Sequence, residues 1–332
     1  LTASCGGGGG NSYVPVPTPV TGNKWTVMVY LDADNNLVEE SLLDLEEMKQ
    51  VGSTDNVTVI VQHDTEGGPT MRYKVEKGSL TTLANLGELD MAQASTLRDF
   101  VSSTASAYPA DHYALIIWNH GQGWKASGQS VNTKSIFTDV DNGTLVPLSN
   151  RLVKQALIDS GVALDILGID ACEMAVLEAA YEFRNVADIL VSSQELVSSY
   201  GWDYDDLLGR LVKDPAMTPP ELAQAMVASF KQYYVAGAYK DQTISALSLS
   251  SKYSSDGVGD ITSVASSVNS MALDFMGRMT DSGTRAEILA LLTSSRDTVQ
   301  ELDIIVQPAT YIDLVDFARL AYGADSAVET AF

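Results

Sequence analysis

The sequence predicts an α/β fold in which helices cover both faces of a mostly parallel central sheet. Several short runs are continuously apolar and rich in β-branched residues, as in strands buried on both faces. Segments with helical periodicity separate these runs, which is the pattern of βαβ units. The chain of 332 residues, 45% of them hydrophobic, is long enough for one large domain of this class or two small ones.

The strands are predicted from the apolar runs. The first, residues 25–31 (WTVMVYL), combines aromatic and β-branched residues. Further strands are predicted at 57–61, 113–118, 164–169, 187–192 and 243–249, with an edge hairpin strand at 71–75. In parallel sheets of this kind the active site lies at the carboxyl ends of the strands.

The helices are predicted from apolar residues at helical spacing. Asn35 or Asn36 can cap the first helix, and Gly52 stands where it should end. Its predicted apolar face is Val38, Leu42, Leu45 and Met48. Later helices are predicted at 90–107, 148–160, 173–184, 204–212, 219–236, 257–280 and 284–301, with a last one from Tyr311.

Composition excludes several classes of function. With 43 acidic and 20 basic side chains the net charge is −23, which argues against nucleic-acid binding because that requires a basic surface. The charge favours cationic partners, although a solvated acidic surface is the simpler explanation. Two cysteines are too few for a disulfide scaffold or a four-cysteine zinc site. No apolar run reaches 18 residues, so no transmembrane segment is expected.

Residues 1–23 are predicted to be a flexible Gly/Pro-rich leader or a lipoprotein tether. Small residues precede Cys5 and five glycines follow it, which resembles the lipobox of bacterial lipoproteins, with Cys5 carrying the lipid. The alternative is a leader with an incidental cysteine. The chain lacks an initiator Met, and Phe332 follows a helical pattern without a stop signal. The expected folded domain is therefore 24–332, truncated at its C-terminus.

Two neighbouring strand ends carry reactive side chains. His120 follows the strand at 113–118, and Cys172 follows the strand at 164–169. A Cys–His pair is a nucleophile and base combination. Cys172 is expected at the N-terminus of the next helix, where the helix dipole lowers a thiol pKa. Gly121 leaves room for a substrate carbonyl to reach backbone N–H groups that stabilise an oxyanion.

Simpler explanations exist for each of these residues. A lone cysteine is more often a small buried hydrophobe, and a lone histidine is more often a satisfied core or surface residue. His112 stands at a strand entry, which is the wrong end of the sheet, and His63 is the weaker alternative base. The position of Cys172 and His120 at strand ends, next to small residues, favours the catalytic interpretation.

The sequence resembles the clostripain-like cysteine peptidases, family C11 of the caspase-like clan. The resemblance spans about residues 24–320 and rests on motifs at 25–37 (WTVMVYLDADNNL), 115–124 (LIIWNHGQGW), 167–175 (LGIDACEMA), 191–195 (VSSQE), 200–204 (YGWDY), 241–250 (DQTISALSLS) and 311–318 (YIDLVDFA). It implies a caspase-like α/β/α sandwich with C-terminal helices. The expected activity is hydrolysis of peptide bonds after Arg or Lys.

The resemblance also implies residue roles. Cys172 matches the nucleophile and His120 the catalytic histidine of a dyad that has no essential third carboxylate. Gly121 and Cys172 are expected to supply the oxyanion hole, and Asp170 is expected to recognise Arg or Lys. Asp203 is a second acidic candidate, with Tyr200 and Trp202 as pocket walls, or alternatively a helix N-cap.

Self-cleavage between the histidine and the cysteine is common in the family that the sequence resembles. The segment 121–150 reads as a loop, and its basic residues are Lys125 and Lys134. Because Lys125 lies very close to His120, Lys134 is the predicted maturation site.

No cofactor is expected to be required for the chemistry. The acidic run 32–36 begins like an EF-hand loop, but Leu37 stands in the place of its glycine and Leu43 in the place of its final Glu. The run 139–143 fails in the same way. No metal ligands are assigned from the sequence. Because some members of the family that the sequence resembles use calcium, calcium binding stays an expectation, but the proposed chemistry does not require it.

The sequence therefore predicts a cysteine endopeptidase, secreted or at a bacterial cell surface, with basic peptides or proteins as substrates. Two alternatives stay open. One is a non-catalytic, surface-anchored binding module on the same fold, and the other is a transpeptidase of the same clan. The sequence leaves the natural substrate, the Arg-to-Lys preference and the oligomeric state open.

Overall fold

An eight-stranded mixed sheet forms the centre of the protein. The computed structural model describes residues 22–124, 148–236, 242–253, 259–302 and 311–323. In chain order the strands are β1 (Trp25–Ala33), β2 (Val57–Thr65), β3 (Met71–Glu76), β4 (Ser79–Asn85), β5 (His112–Trp118), β6 (Leu164–Asp170), β7 (Ala187–Ser192) and β8 (Ser245–Ser248). Their spatial order is β4-β3-β2-β1-β5-β6-β7-β8.

The five central strands of this sheet are parallel. β2, β1, β5, β6 and β7 pair in parallel, whereas β3, β4 and β8, at the two edges, each pair antiparallel with their neighbours. Every residue of β1 and β6 is buried, which explains why these segments are apolar without alternation. The predicted mostly parallel sheet is confirmed.

Helices cover both faces of the sheet, as predicted. In chain order they are α1 (Val38–Val51), α2 (Ala94–Ala107), α3 (Asn150–Ser160), α4 (Leu177–Glu182), α5 (Tyr204–Lys213), α6 (Pro219–Ala236), α7 (Ile261–Thr280), α8 (Ser282–Thr298) and α9 (Leu314–Tyr322). One face is packed by α2, α3, α4 and the first turn of α7, and the other by α1, α5 and α6. The α/β/α sandwich is confirmed.

The C-terminal helices form a smaller apolar cluster of their own. Met271 and Phe275 of α7 pack with Ile288 of α8 and Phe317 of α9. A two-stranded antiparallel ribbon, β9 (Glu301–Leu302) with β10 (Tyr311–Ile312), lies between α8 and α9 along the chain. The expected C-terminal helices are present, but the last begins at Leu314 because Tyr311 belongs to β10.

Strand β4 and the starts of α2 and α4 were not predicted correctly. Strand β4 was missed because it is an edge strand with mostly exposed or half-buried residues and has no apolar run. Helix α2 begins at Ala94 and α4 at Leu177, each four residues later than expected. In both cases a polar or turn-forming segment precedes the helix and keeps its own hydrogen bonds.

Helix α1 differs from its prediction at the start and along its face. Its N-cap is Leu37, and Asn35 instead accepts the Leu37 N–H through Oδ1 at 2.9 Å, an Asx turn just before the helix. Leu42 is 50% exposed, and the buried face includes Ser41 and Asp44. Two polar residues therefore occupy core positions beside the strand ends.

No helix in the described part of the chain is both long enough and apolar enough to cross a membrane. Cys5 of the leader and Lys134 of the predicted maturation loop lie outside the described residues.

The burial of Asp44 yields a prediction about stability. Burial is the main cause that raises the pKa of Asp44 to about 10, and Trp118 donates a hydrogen bond to its carboxyl group. In the unfolded chain an Asp has a pKa near 4. The unfolded state therefore releases this proton first, and the group lowers the free energy of unfolding progressively as pH rises from about 4 to 10.

We expect the isosteric, neutral variant Asp44→Asn to be more stable than the parent by about 1–3 kcal/mol at pH 8, and by less at pH 5. Urea denaturation at the two pH values measures the difference. The control is Asp55→Asn at an exposed position, which should change little. A D44N variant less stable than the parent at pH 8 contradicts this account of Asp44.

Candidate active site

The candidate site lies where the loops after β5 and β6 leave the sheet. Trp118 and Asp170 are register partners at the ends of these parallel strands. His120 and Cys172 each follow two residues later, so the fold brings them to the same edge. A cavity of about 110 Å³ opens there. It is lined by Leu37, Trp118, Asn119, His120, Asp170, Ala171, Cys172, Val197, Ser198, Ser199 and Gly201.

The backbones of the two loops touch at Gly121. A Cβ placed on Gly121 would lie 2.2 Å from the carbonyl oxygen of Cys172 and 2.9 Å from its backbone nitrogen. No side chain fits there, so glycine is required for this approach. The contact brings the peptide groups of Gly121 and Cys172, the expected oxyanion-hole pair, next to each other.

The Cys172 thiol is half-buried and contacts the backbone of one residue, Val197. Its Sγ accepts the N–H of Val197 at 3.3 Å and lies 3.8 Å from the carbonyl oxygen of the same residue. Burial is the largest effect on the thiol and raises its pKa, with the nearby carboxylates of Glu173 and Asp170 acting in the same direction.

The expected position of Cys172 at a helix N-terminus is wrong. Helix α4 begins only at Leu177, because residues 171–176 form turns anchored to the loop after β7. In those turns Glu173 has a φ of 61°, and its N–H bonds to the carbonyl of Glu195 at 3.0 Å. No helix dipole therefore acts on the thiol, which is consistent with its raised pKa.

His120 is partly buried and meets a side chain from another loop. Its Nε2 lies 2.9 Å from Oδ1 of Asn36, in the connection between β1 and α1. Burial lowers the pKa of His120, and the carboxylate of Glu40 opposes this more weakly. A lowered imidazole pKa beside a raised thiol pKa means that both groups are neutral near pH 7 before substrate binds.

The other two histidines have structural surroundings. His63 lies inside β2, which continues to Thr65. It contacts Ser41 Oγ at 2.9 Å, and burial lowers its pKa to about 4. His112 opens β5 at the opposite end of the strand and lies 3.2 Å from Asp165.

Asp170 is the buried carboxyl group of the cavity. Its Oδ2 accepts hydrogen bonds from the N–H of Trp202 at 3.0 Å and from the hydroxyl of Tyr204 at 3.1 Å. Burial raises its pKa to about 7 despite these two donors. Among the described residues, no lysine or arginine pairs with it, so the carboxyl group lacks a cationic partner from that part of the chain.

Gly201 keeps one side of Asp170 open. It has a φ of 59°, and a Cβ there would lie 2.9 Å from Oδ2 of Asp170 and 3.4 Å from Nε1 of Trp118. A larger residue would be strained and would crowd the carboxyl group. Neither Gly201 nor Trp118 was singled out for the site from the sequence. For Gly201, the glycine of the YGWDY motif was the available indication in the sequence.

The remaining predicted pocket residues are placed differently. Trp202 packs its ring in the core against Gly168 and contributes only its backbone N–H to Asp170, and Trp118 lines the cavity instead. Tyr200 is 47% exposed beside the cavity residues. Asp203 caps α5, accepting the N–H of Asp206 at 3.2 Å, and burial raises its pKa to about 7.

Three carboxylates elsewhere could hold a metal ion. One oxygen each from Asp34, Asp64 and Glu88 lies within 4.8 Å of the others, with the two aspartates buried. Such oxygen ligands suit a hard cation like Ca²⁺. Of the three, only Asp34 belongs to the acidic run that the sequence analysis considered.

A larger cavity, of about 290 Å³, lies away from this chemistry. It is bordered by α4, β8, α7 and the β9–β10 ribbon, and its described lining is largely apolar. The lining includes neither histidine nor cysteine. We therefore assign the candidate active site to the smaller cavity, which Cys172, His120 and Asp170 line together.

The chain is similar in sequence to one curated relative. It is 30% identical to clostripain from Hathewaya histolytica over an alignment of 222 residues, with 57% of this chain and 42% of the relative covered. The alignment thus spans less than half of clostripain.

Solved structures show the same fold. A secreted C11 cysteine protease from Bacteroides thetaiotaomicron, called iotapain, has a TM-score of 0.71 and 17% identity, covering 94% of this chain and 83% of its own. A secreted C11 protease of that organism with an irreversible peptide inhibitor has a TM-score of 0.67 and 19% identity, covering 93% and 81%. An inactive zymogen from Parabacteroides distasonis has a TM-score of 0.66 and 21% identity, covering 94% and 81%.

A family model defines the relationship over nearly the whole folded chain. The model of the clostripain family, peptidase family C11, matches residues 29–330. That range runs from the middle of β1 to beyond α9 and includes the cavity with Cys172 and His120. The chain therefore belongs to the clostripain family of cysteine peptidases.

Proposed function

We propose that the protein is a cysteine endopeptidase that cleaves peptide bonds after Arg or Lys. The observation that carries this proposal is the composition of one small cavity. A cysteine, a histidine and a buried carboxyl group without a cationic partner among the described residues line it together. Membership of the clostripain family supports the peptidase chemistry.

The proposed reaction begins from a neutral dyad. As the substrate carbonyl approaches, His120 takes the proton of the Cys172 thiol, and Sγ forms a bond to the carbonyl carbon. The tetrahedral intermediate collapses when the C–N bond breaks and the imidazolium gives its proton to the leaving amine. Water then loses a proton to His120 and attacks the thioester, the C–S bond breaks, and the thiol regains its proton.

The developing oxyanion is proposed to bind the backbone N–H groups of Gly121 and Cys172. Their close approach supports this role. A preorganised donor of this kind contributes about 3 kcal/mol of transition-state stabilisation. Every bond and proton in the cycle belongs to protein, substrate or water, so we propose that the chemistry needs no cofactor.

Asp170 is proposed to bind the basic side chain that precedes the scissile bond. A buried carboxyl group with a pKa near 7 is costly to ionise alone. A guanidinium or ammonium supplied by the substrate offsets this cost, because opposite charges pair strongly away from water. The cavity is thus suited to a cation more than to a neutral side chain.

We further propose that the protein acts outside the cytoplasm, by secretion or through a lipid on Cys5. The lipobox-like sequence around Cys5 supports the anchor. Two structural relatives described as secreted support an extracellular place of action.

Removing either member of the dyad should abolish peptidase activity. We expect Cys172→Ala and His120→Ala to lower kcat/KM for an Arg-ended reporter peptide by at least about 10³-fold, because each is needed for covalent catalysis. His112→Ala, at the far end of β5, is the matched control and should keep the parent rate. Retention of activity by C172A or H120A would refute the dyad.

Selectivity for a positive charge should depend on pH. With the Asp170 pKa at about 7, its ionised fraction rises from about a tenth at pH 6 to about nine-tenths at pH 8. The ratio of kcat/KM for an Arg peptide to that for its neutral citrulline analogue should therefore rise several-fold over this range. Titration of the dyad affects both substrates and cancels in the ratio.

Two variants separate the groups that titrate near pH 7. Asp170→Asn should lower the Arg-to-citrulline ratio by about 10- to 100-fold and remove its pH dependence. Asp203→Asn should leave that dependence in place, because Asp203 caps α5. A ratio in the parent enzyme that stays constant from pH 6 to pH 8 overturns the role of Asp170.

Self-cleavage after Lys134 is also part of the proposal. We expect active protein to consist of two chains divided at Lys134–Ser135, and C172A protein to stay intact. Lys134→Ala should delay cleavage more than Lys125→Ala does. Intact-mass analysis tests this, and a single uncut chain in fully active enzyme contradicts it.

A further inference from the structure

The imidazole of His120 is held by a side chain that no dyad mechanism requires. Asn36 Oδ1 lies 2.9 Å from Nε2 of His120, although the two residues are 84 positions apart. Asn36 stands in the connection that leaves β1, which is the strand next to β5 in the sheet. The contact therefore joins the carboxyl ends of two neighbouring strands directly above the candidate site.

A buried polar network fixes the two loops that make this contact. Asn35 donates through Nδ2 to Oδ1 of Asn119 at 3.3 Å, and Asn119 donates through Nδ2 to Oδ2 of Asp32 at 2.7 Å. All three side chains are at least 95% buried. Polar groups at such depth stay in place because losing a partner leaves a costly unsatisfied group.

The network reaches Asn36 and His120 through the backbone. Asn35 and Asn119 are the residues immediately before Asn36 and His120, and the N–H of His120 bonds to Oδ1 of Asn119. Leu37, on the other side of Asn36, donates its N–H to Oδ1 of Asn35 at 2.9 Å. The amide of Asn36 is thus presented to the imidazole by a loop whose neighbouring residues are anchored.

The chemistry of an amide oxygen decides the state of the ring. Oδ1 of asparagine is only an acceptor, so Nε2 of His120 must carry the hydrogen of the neutral imidazole. The lone pair is then on Nδ1, which is the nitrogen left to take a proton from the Cys172 thiol. The same bond prevents rotation of the ring about its χ2 angle.

We propose that Asn36 is the positioning residue of the catalytic histidine, selecting its Nε2–H tautomer and holding the ring for proton transfer at Nδ1. The inference rests on the proposed Cys172–His120 peptidase and deepens it. The site then comprises three side chains from the ends of three adjacent strands, β1, β5 and β6, although only two of them exchange protons.

A neutral acceptor suits a base that works near pH 7. The groups that face His120 are Glu40 of α1, which favours the imidazolium, and the Cys172 thiol across the cavity. Burial outweighs Glu40 and keeps the ring neutral. A carboxylate in place of Asn36 would stabilise the imidazolium and remove the free base from the lower part of the working pH range.

The closing experiment compares Asn36→Ala, Asn36→Asp and Glu40→Gln with the parent. We expect N36A to lower kcat by about 10- to 100-fold with little change in KM or Tm, because orientation and tautomer are lost while the substrate pocket stays intact. N36D should keep most activity at pH 8.5 and move the acid limb of kcat/KM about one pH unit upward. E40Q, which removes charge but not the acceptor, should shift that limb slightly downward.

The ¹⁵N chemical shifts of the His120 ring read the tautomer directly in protein that carries C172A. The Nε2–H form is expected when Asn36 is present, and a mixture of both forms is expected when N36A is added. The inference is overturned if the ring is in the Nδ1–H form when Asn36 is present. It is also overturned if N36A and N36D keep the kcat and the pH profile of the parent. The H120A variant distinguishes the two kinds of failure. If only the role of Asn36 is wrong, H120A is still inactive, whereas if the proposed peptidase dyad is wrong, H120A stays active.

Discussion

Parallel pairing of β5 with β6 is the constraint on which the rest of the site depends. The register that sets Trp118 opposite Asp170 brings the loops after both strands to one edge. The two loops then approach so closely that only glycine fits at position 121. The proposed nucleophile, base, oxyanion donors and specificity carboxylate all lie on these two chain segments. A shift of register by one residue would turn Asp170 to the opposite face and separate it from the cavity.

Burial is the second constraint on this site, because it shifts the pKa values of the side chains that line the cavity. Burial raises the pKa of Asp170 and of the Cys172 thiol and lowers that of His120. Before substrate binds, the thiol and the imidazole are therefore neutral near pH 7 and Asp170 is only partly ionised, in a protein whose net charge is −23. A substrate cation would restore the ionised form of Asp170. In the proposed mechanism the attack then generates the thiolate and the imidazolium together, where the substrate has displaced water.

The sequence was sufficient for the parallel centre of the sheet and for placing Cys172 and His120 at one edge of it, because both depend on local patterns. Apolar runs located the central strands, and residue type at two strand ends singled out Cys172 and His120 as the candidate pair. What the sequence could not provide depends on three-dimensional proximity. The Asn36–His120 contact joins residues 84 positions apart. The thiol pKa was misjudged because turns delay α4 to Leu177. Asp44 was not predicted to be buried, since a polar residue on a core face breaks the helical pattern.

Covalent labelling tests the central claim, that Cys172 reacts under the control of a cation bound at Asp170. Two peptide probes carry the same thiol-reactive group, one after Arg and the other after its neutral analogue citrulline. The measurement is the second-order rate constant of labelling by each probe, and mass spectrometry locates the modified residue. The account predicts one adduct, on Cys172, formed at least about tenfold faster with the Arg probe in the parent and at similar rates with both probes in D170N. Equal rates for both probes in the parent, or an adduct elsewhere than Cys172, would contradict it.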